Sequence, residues 1–303
     1  MRTPAAEYLI RQRIAALGRA LPAARAGDAV SLHHARVATR RLRAALPLVA
    51  SGPRAEELAR SVRRLTRALG PIRELDVELL ILDELEKSGE VPRAGVDRLR
   101  SSIADERKHL QSGVRRRLGD FDLENVKKSA VAVARTCGRR TRRDAQGIAS
   151  ARERAARRAR RLAAAIENAA DLYLPDRLHA VRIAAKKLRY TLELMSPDLG
   201  GSAPRTHGAR MSARLRTLKE AQDRLGRMHD LEVLIARTRS IQSSPGASTL
   251  KVSADLDRLV RRLETECRQL HGQYMAARSK LISLCHRLMP DGRSRGRVRT
   301  SAA

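Results

Sequence analysis

Histidine, arginine and lysine recur in one register at two places in this chain. The first is His33-His34-Ala35-Arg36-Val37-Ala38-Thr39-Arg40-Arg41-Leu42-Arg43, and the second is His179-Ala180-Val181-Arg182-Ile183-Ala184-Ala185-Lys186-Lys187-Leu188-Arg189. Aligning His33 with His179 sets Arg36 on Arg182, Arg40 on Lys186, Arg41 on Lys187 and Arg43 on Arg189. On a helix, offsets of three, seven and ten residues lie within about 80° of the histidine, so each segment predicts a cationic stripe. Guanidinium forks match phosphate oxygens, ammonium groups add point charge, and histidine can donate to the same anion. Together they can grip successive phosphates along a chain. His33, Arg36, Arg40, Arg43, His179, Arg182, Lys186 and Arg189 are the stripe candidates, with Arg41 and Lys187 extending the surface to one side. A lone histidine is more often a packed or capping residue, but recurrence beside arginine favours a ligand-facing role. His34, matched by Ala180, lacks that support.

A second pair of segments follows the stripes in the same order. Leu69-Gly70-Pro71-Ile72-Arg73-Glu74-Leu75-Asp76-Val77 parallels Leu225-Gly226-Arg227-Met228-His229-Asp230-Leu231-Glu232-Val233. Glu74, Asp76, Asp230 and Glu232 are expected to fix nearby arginines by salt bridges rather than to act as catalytic acids. Arg73 and its counterpart His229 are second-tier phosphate candidates. So are Arg60, Arg64 and Arg67, which share a helix face, and their approximate counterparts Arg216 and Lys219. The arginines between Arg152 and Arg161 surround their helix, which predicts surface charge. His229 in place of Arg73 makes the two halves unequal.

The elements that must carry these residues are helical throughout. Apolar residues recur every three or four positions and no long β-branched alternation occurs, which predicts an all-α chain. The stripes have apolar backs: Ala35, Ala38, Leu42, Ala45 and Leu46 in one, Val181, Ala184, Leu188 and Leu192 in the other. Helices are predicted over 5–21 with a stop at Pro22, from a cap at Asp28 or Ser31 to about Ala50, over 54–69, 74–87 and 93–118. Residues 119–147 read as less regular. Further helices are expected over 148–172, from Pro175 to the stop at Ser196-Pro197, and over 208–225, 228–242 and 251–289. Two matched motifs in one order indicate duplication, with halves of about 5–142 and 143–290 making one unit over 5–290. Residues 291–303, with alternate arginines, read as a basic disordered tail.

Composition bounds the ligand. Of 303 residues, 63 are cationic against 33 acids, a formal charge of +30, and 54 of the cations are arginine. Such a balance points to polyanions. With four tyrosines, one phenylalanine and no tryptophan, there is little on which to stack bases, which weighs against single-strand and RNA readout. Cys137, Cys267 and Cys285 lack metal-ligand spacing, and reduced buried thiols are expected. No apolar run approaches the roughly 20 residues of a membrane span, and no signal-peptide core is present. A soluble cytoplasmic protein without membrane contact, cofactor or metal is the expectation.

Taken together, the His-x-x-Arg-x-x-x-[Arg/Lys]-[Arg/Lys]-x-Arg helix and the Leu-Gly-x-x-[Arg/His]-[Glu/Asp]-Leu-[Asp/Glu]-Val segment, each present twice, resemble the conserved-histidine α-helical domain family, CHAD. The resemblance covers about residues 5–290. It implies two antiparallel helical bundles related by a pseudo-two-fold axis, with the basic helices facing a shared central cavity or groove. It also implies binding of inorganic polyphosphate and association with polyphosphate granules. Two alternatives stand beside it. Charge and tail predict nonspecific DNA or RNA binding at low salt. His229-Asp230, with His207 and Asp255 or Asp257, mimics the metal-ligand order of HD phosphohydrolases. Against that, its internal counterpart is Arg73-Glu74, and arginine is no ordinary metal ligand. The Glu-x-Glu-x-Lys strand of triphosphate tunnel enzymes is absent; Glu84-Leu85-Glu86-Lys87 has the wrong spacing and a helical setting.

Overall fold

A computed structural model describes residues 5–49, 52–138, 144–195, 205–244 and 250–289. Among these the chain forms ten α-helices and no strand. They are α1 Ala5–Ala26, α2 Ala29–Val49, α3 Pro53–Ala68, α4 Gly70–Ser88, α5 Arg93–Gly119, α6 Leu123–Gly138, α7 Asp144–Ala169, α8 Pro175–Leu194, α9 Arg205–Gln242 and α10 Leu250–His286. The charge run 139–143, the loop 200–204, the tail 291–303 and the side chains of Cys137 and His207 lie outside the described residues.

Three parts of the chain differ from the sequence expectation. Pro22 does not stop α1, which ends instead where Gly27 adopts φ +95; proline near a helix end forfeits one hydrogen bond, while a left-handed glycine terminates the backbone outright. Asp28 then caps α2 by accepting from the Ser31 amide at 2.7 Å. The stretch expected to be irregular contains α6 and the start of α7. Val126, Ala130 and Val133 bury one face of α6 against α1 and α3, and tertiary packing of this kind overrides weak local signals. Finally, the two segments predicted at 208–225 and 228–242 are one helix, α9. Pro71 separates α3 from α4 because it cannot donate back to residue 67. Its counterpart Arg227 can, and Gly226 alone does not break the ladder.

Packing follows the apolar backs of the helices. Ile10, Ile14, Leu17 and Leu21 of α1 meet Leu32, Ala35, Leu42 and Leu46 of α2, with α3, α5 and α6 closing this bundle. In the second half, Leu162 and Ile166 of α7 and Val181, Leu188 and Leu192 of α8 pack on early α9 and late α10. The halves are not separate bundles. Leu75, Ile81, Leu82 and Leu85 of α4 and Val96, Leu99 and Ile103 of α5 share a third core with Leu231, Leu234 and Ile235 of α9 and Leu256, Leu259 and Leu263 of α10. At about 1.5 Å per residue, α9 and α10 each span more than 50 Å, long enough to serve both cores. Matched elements meet across the junction: α2 packs on α8, α4 on α9 and α5 on α10.

Candidate functional site

The contact between α2 and α8 brings the two stripes together. Ala35, Ala38 and Leu42 on one helix and Val181, Ala185 and Leu188 on the other are buried, which rotates the basic faces away from their bundles. Arg36 and Arg40 are both close enough to Lys186 to disfavour its charge, and Arg182 adds to them; burial contributes most, and Asp230 only partly opposes. The Lys186 ammonium is thereby pushed down to about 7. Burial likewise lowers Arg36 and Arg182, each opposed by cations of the other helix. Both guanidiniums remain charged at any physiological pH, so this repulsion persists without a ligand.

The Leu-Gly segments complete the site from the start of α4 and the middle of α9. Arg36 Nη2 lies 4.0 Å from Glu74 Oε1, and Arg182 Nη2 lies 3.9 Å from Asp230 Oδ1. These matched contacts are too long for hydrogen bonds, so each carboxylate orients its arginine without closing it off. Arg36 Nη1 donates to the Thr66 carbonyl at 3.3 Å. The repeated glycines face the same side chains: a Cβ on Gly70 would come within 3.2 Å of Arg36 Nη1, and one on Gly226 within 3.6 Å of Arg182 Nε. The Leu-Gly repeat therefore marks where helix backbone passes under a stripe arginine.

The histidines divide the halves. His179 Nδ1 and His229 Nδ1 approach to 3.2 Å, which requires one ring to donate and the other to accept. Burial, then Arg182, His179 and Lys186, hold His229 down to about 4, and burial with Arg182 and Lys186 lowers His179. His33 is exposed beside Arg73, where partial burial and then Arg73 lower it. Arg73 thus stands to His33 as His229 stands to His179, one fixed cation replaced by a neutral ring.

Other sequence candidates sit at the edges. Arg41 and Arg189 flank Glu193, at 4.0 and 3.6 Å, and their Nε groups are buried without a hydrogen-bond partner. They close one end of the α2–α8 contact rather than continue an open stripe. Arg43 is exposed and faces Arg63 and Arg67 of α3. Sequence reasoning missed Arg63; the i, i+3, i+7 spacing of Arg60, Arg63 and Arg67 was the available signal. Arg60 and Arg64 are exposed, with Arg64 donating only to Ser61. In the second half, Arg216 is exposed and Lys219 is paired with Asp223 at 2.7 Å. Lys187 is exposed, while its carbonyl accepts from Arg158, so that arginine of α7 ties helices together instead of decorating the surface.

Of the remaining two acids, one pairs with an arginine as expected and the other does not. Asp76 is buried and accepts from Arg107 Nε at 2.7 Å, whereas Glu232 accepts from the Tyr173 hydroxyl instead of from an arginine. The HD arrangement is dispersed. Asp230 faces Arg182, and Asp257 accepts from Gln242, about 18 Å further along α9. Asp255 packs against Gly95 of α5. Among the described residues no group of three or more histidine, cysteine or acidic side chains could hold a metal ion. Cys267 and Cys285 are buried free thiols.

The CHAD domain model matches residues 8–239. The chain belongs to the CHAD family. The match takes in both stripes and both Leu-Gly segments and ends within α9. This CHAD chain is similar in fold to PptA from Streptomyces chartreusis, at 15% identity and a TM-score of 0.62, covering 90% of this chain and 97% of that one. It is also similar to the CHAD domain from the plant Ricinus communis, at 20% identity and a TM-score of 0.59, covering 94% and 91%. No curated protein matches the sequence. Among the described residues of this CHAD chain, no helix is long and apolar enough to cross a membrane.

Proposed function

We propose that this CHAD protein binds inorganic polyphosphate in the groove between α2 and α8 and does not turn it over. One observation carries the reading: Arg36, Arg40, Arg182 and Lys186 converge from two helices, and among the described residues the carboxylates set against them are Glu74 and Asp230, neither within hydrogen-bond distance. Like charges held together by packing are relieved by a bound polyanion. A chain of phosphates presents oxygens at regular spacing and no base edges, so it needs regularly placed donors and nothing to stack on. Among the described residues the site supplies such donors and, apart from Tyr190 and the imidazoles of His33, His179 and His229, no aromatic ring. Family membership points the same way, and association with polyphosphate granules follows from that reading.

The test is competitive binding of labelled long-chain polyphosphate near physiological salt, challenged with duplex DNA, RNA and orthophosphate at equal phosphate concentration. Polyphosphate is expected to persist against the nucleic acids. Replacing Arg36, Arg40, Arg182 and Lys186 by alanine is expected to abolish tight binding with helicity unchanged, and to flatten the dependence of log K on log salt. Deleting residues 291–303 should reduce nonspecific affinity only. Free displacement by DNA or RNA, or equal losses from the two changes, would make the protein a general polyanion binder.

A further inference from the structure

A second cationic cleft lies away from the groove. Early α9 runs antiparallel to late α10, and each turns an i, i+4, i+7 row toward the other. Arg210, Arg214 and Thr217 come from α9, Lys280 and Leu284 from α10, and Arg287 from the turn that directly follows it. With Ala213 they line a cleft of about 400 Å³, within the usual range for small-ligand sites, about 300–1,000 Å³.

Its four cations lack the carboxylate partners that several other arginines of these helices have. Arg227, Arg237, Arg239, Arg262 and Arg278 each contact a carboxylate. Among the described residues, none of the four cleft cations does. Arg214 is half-buried, and burial, Arg287 and Arg210 all oppose its charge. The Thr217 hydroxyl donates back to the Ala213 carbonyl at 3.2 Å, so the cations are the donors facing the cleft. Among the described residues no aromatic ring lines it, which argues against a nucleobase.

The cleft is also independent of the groove. Gly226 and Asp230 turn toward Arg182 of α8. Arg214 lies twelve residues earlier, about 18 Å along α9 and about 120° around it, and Arg210 is about 160° around from Gly226. One anion of cleft size cannot touch both.

We propose that this cleft is a second binding site, for the densely charged end group of a short inorganic phosphate oligomer: free pyrophosphate or triphosphate, or the terminus of a longer chain. Four cations in a small, half-open concavity suit a compact multivalent anion better than the interior of a long polymer, which needs an extended track. The proposal does not depend on the groove reading.

The experiment is calorimetric titration of the full chain with triphosphate at about 150 mM salt. Wild type and the groove variant Arg36→Ala/Arg182→Ala should bind alike, within about twofold. Arg214→Gln/Arg287→Gln should lose at least about tenfold, Arg214→Lys/Arg287→Lys should restore most of it, and the remote pair Arg116→Gln/Arg117→Gln should change nothing. Unmodified long chains that compete, where end-blocked chains do not, would identify the terminus as ligand; competition by neither would identify the free oligomer. Hydrogen-exchange protection by triphosphate near Arg214 and Arg287 in wild type provides a readout that does not depend on the variants folding. Absence of triphosphate binding to wild type overturns the proposal. So does loss in the groove or remote variant equal to that in the cleft variant. The groove reading fails separately, if DNA displaces long chains while triphosphate still binds the cleft.

Discussion

Lys186 makes polyphosphate binding pH-dependent in a calculable way. Burial, then Arg40 of α2, Arg182 of its own helix and Arg36 of α2, hold its ammonium down to about 7, with Asp230 the opposing charge. A phosphate chain laid beside it reverses that balance and draws the group back toward its ordinary value of 10.5, so binding takes up a proton above neutrality. Between pH 6.5 and 8.5 the free protein passes from mostly charged to mostly neutral at this position while the complex stays charged. Affinity for long-chain polyphosphate should therefore fall by about tenfold or more, close to 1.4 kcal/mol per decade. His33, His179 and His229 are all lowered from 6.5, so the neutral ring dominates across this window. Fluorescence titrations at fixed ionic strength measure the slope. Lys186→Arg should flatten it, since guanidinium does not titrate there. Lys186→Gln should flatten it at the weaker affinity wild type shows at high pH. Stability moves oppositely in the free protein: the unfolded chain binds more protons between about 7 and 10.5, so unfolding free energy rises with pH over that interval. An affinity that is flat in wild type, or equally steep in Lys186→Arg, would refute the placement of Lys186 among the facing arginines.

Two further substitutions test other parts of the structure. Gly226→Ala meets Arg182 only at ordinary van der Waals distance and sits inside α9, so thermal melts should show a gain of about 0.5–1 kcal/mol with binding unchanged. Gly70→Ala crowds Arg36 at 3.2 Å, and titration should show polyphosphate affinity falling a few-fold. Arg237→Ala removes the cation beside Glu78, which is 2% exposed and shares no aligned hydrogen bond despite the close ion pair. Urea unfolding at pH 7 should show a loss of about 3–5 kcal/mol. Burial already raises Glu78, so its protonation should shrink that deficit as pH falls toward 5.

Helicity, duplication and the cationic register were legible because each is a periodic property of residue type. A stripe at three, seven and ten residues with an apolar back can form only one kind of amphipathic helix, and its recurrence at Arg182 and Lys186 made a packing accident a poor explanation. The repeated Leu-Gly segment was visible too, but not its reason, since nothing in the local sequence says that Gly70 lies under Arg36. Elements failed where propensity competed with packing: α6 is unremarkable as a sequence and exists because Val126, Ala130 and Val133 complete the core that α1, α2 and α3 build. Arg41 and Arg189 read as stripe or flank, but their carboxylate partner Glu193 closes that end of the groove. Arg210, Arg214, Lys280 and Arg287 carry no sequence signal, because in an arginine-rich chain a cation without a partner looks like any other.

The sequence alone thus determined the helical class, the internal repeat, the family and which side of each basic helix is charged, all of which follow from spacing along the chain. Tertiary structure decided what those charges face. Whether Arg40 opposes Lys186, whether an arginine finds a carboxylate or none, and whether α9 runs unbroken depend on distances between residues remote in sequence. Coulomb energy and burial are set by those distances, and the folded packing of α2 on α8 and of α9 on α10 supplies them.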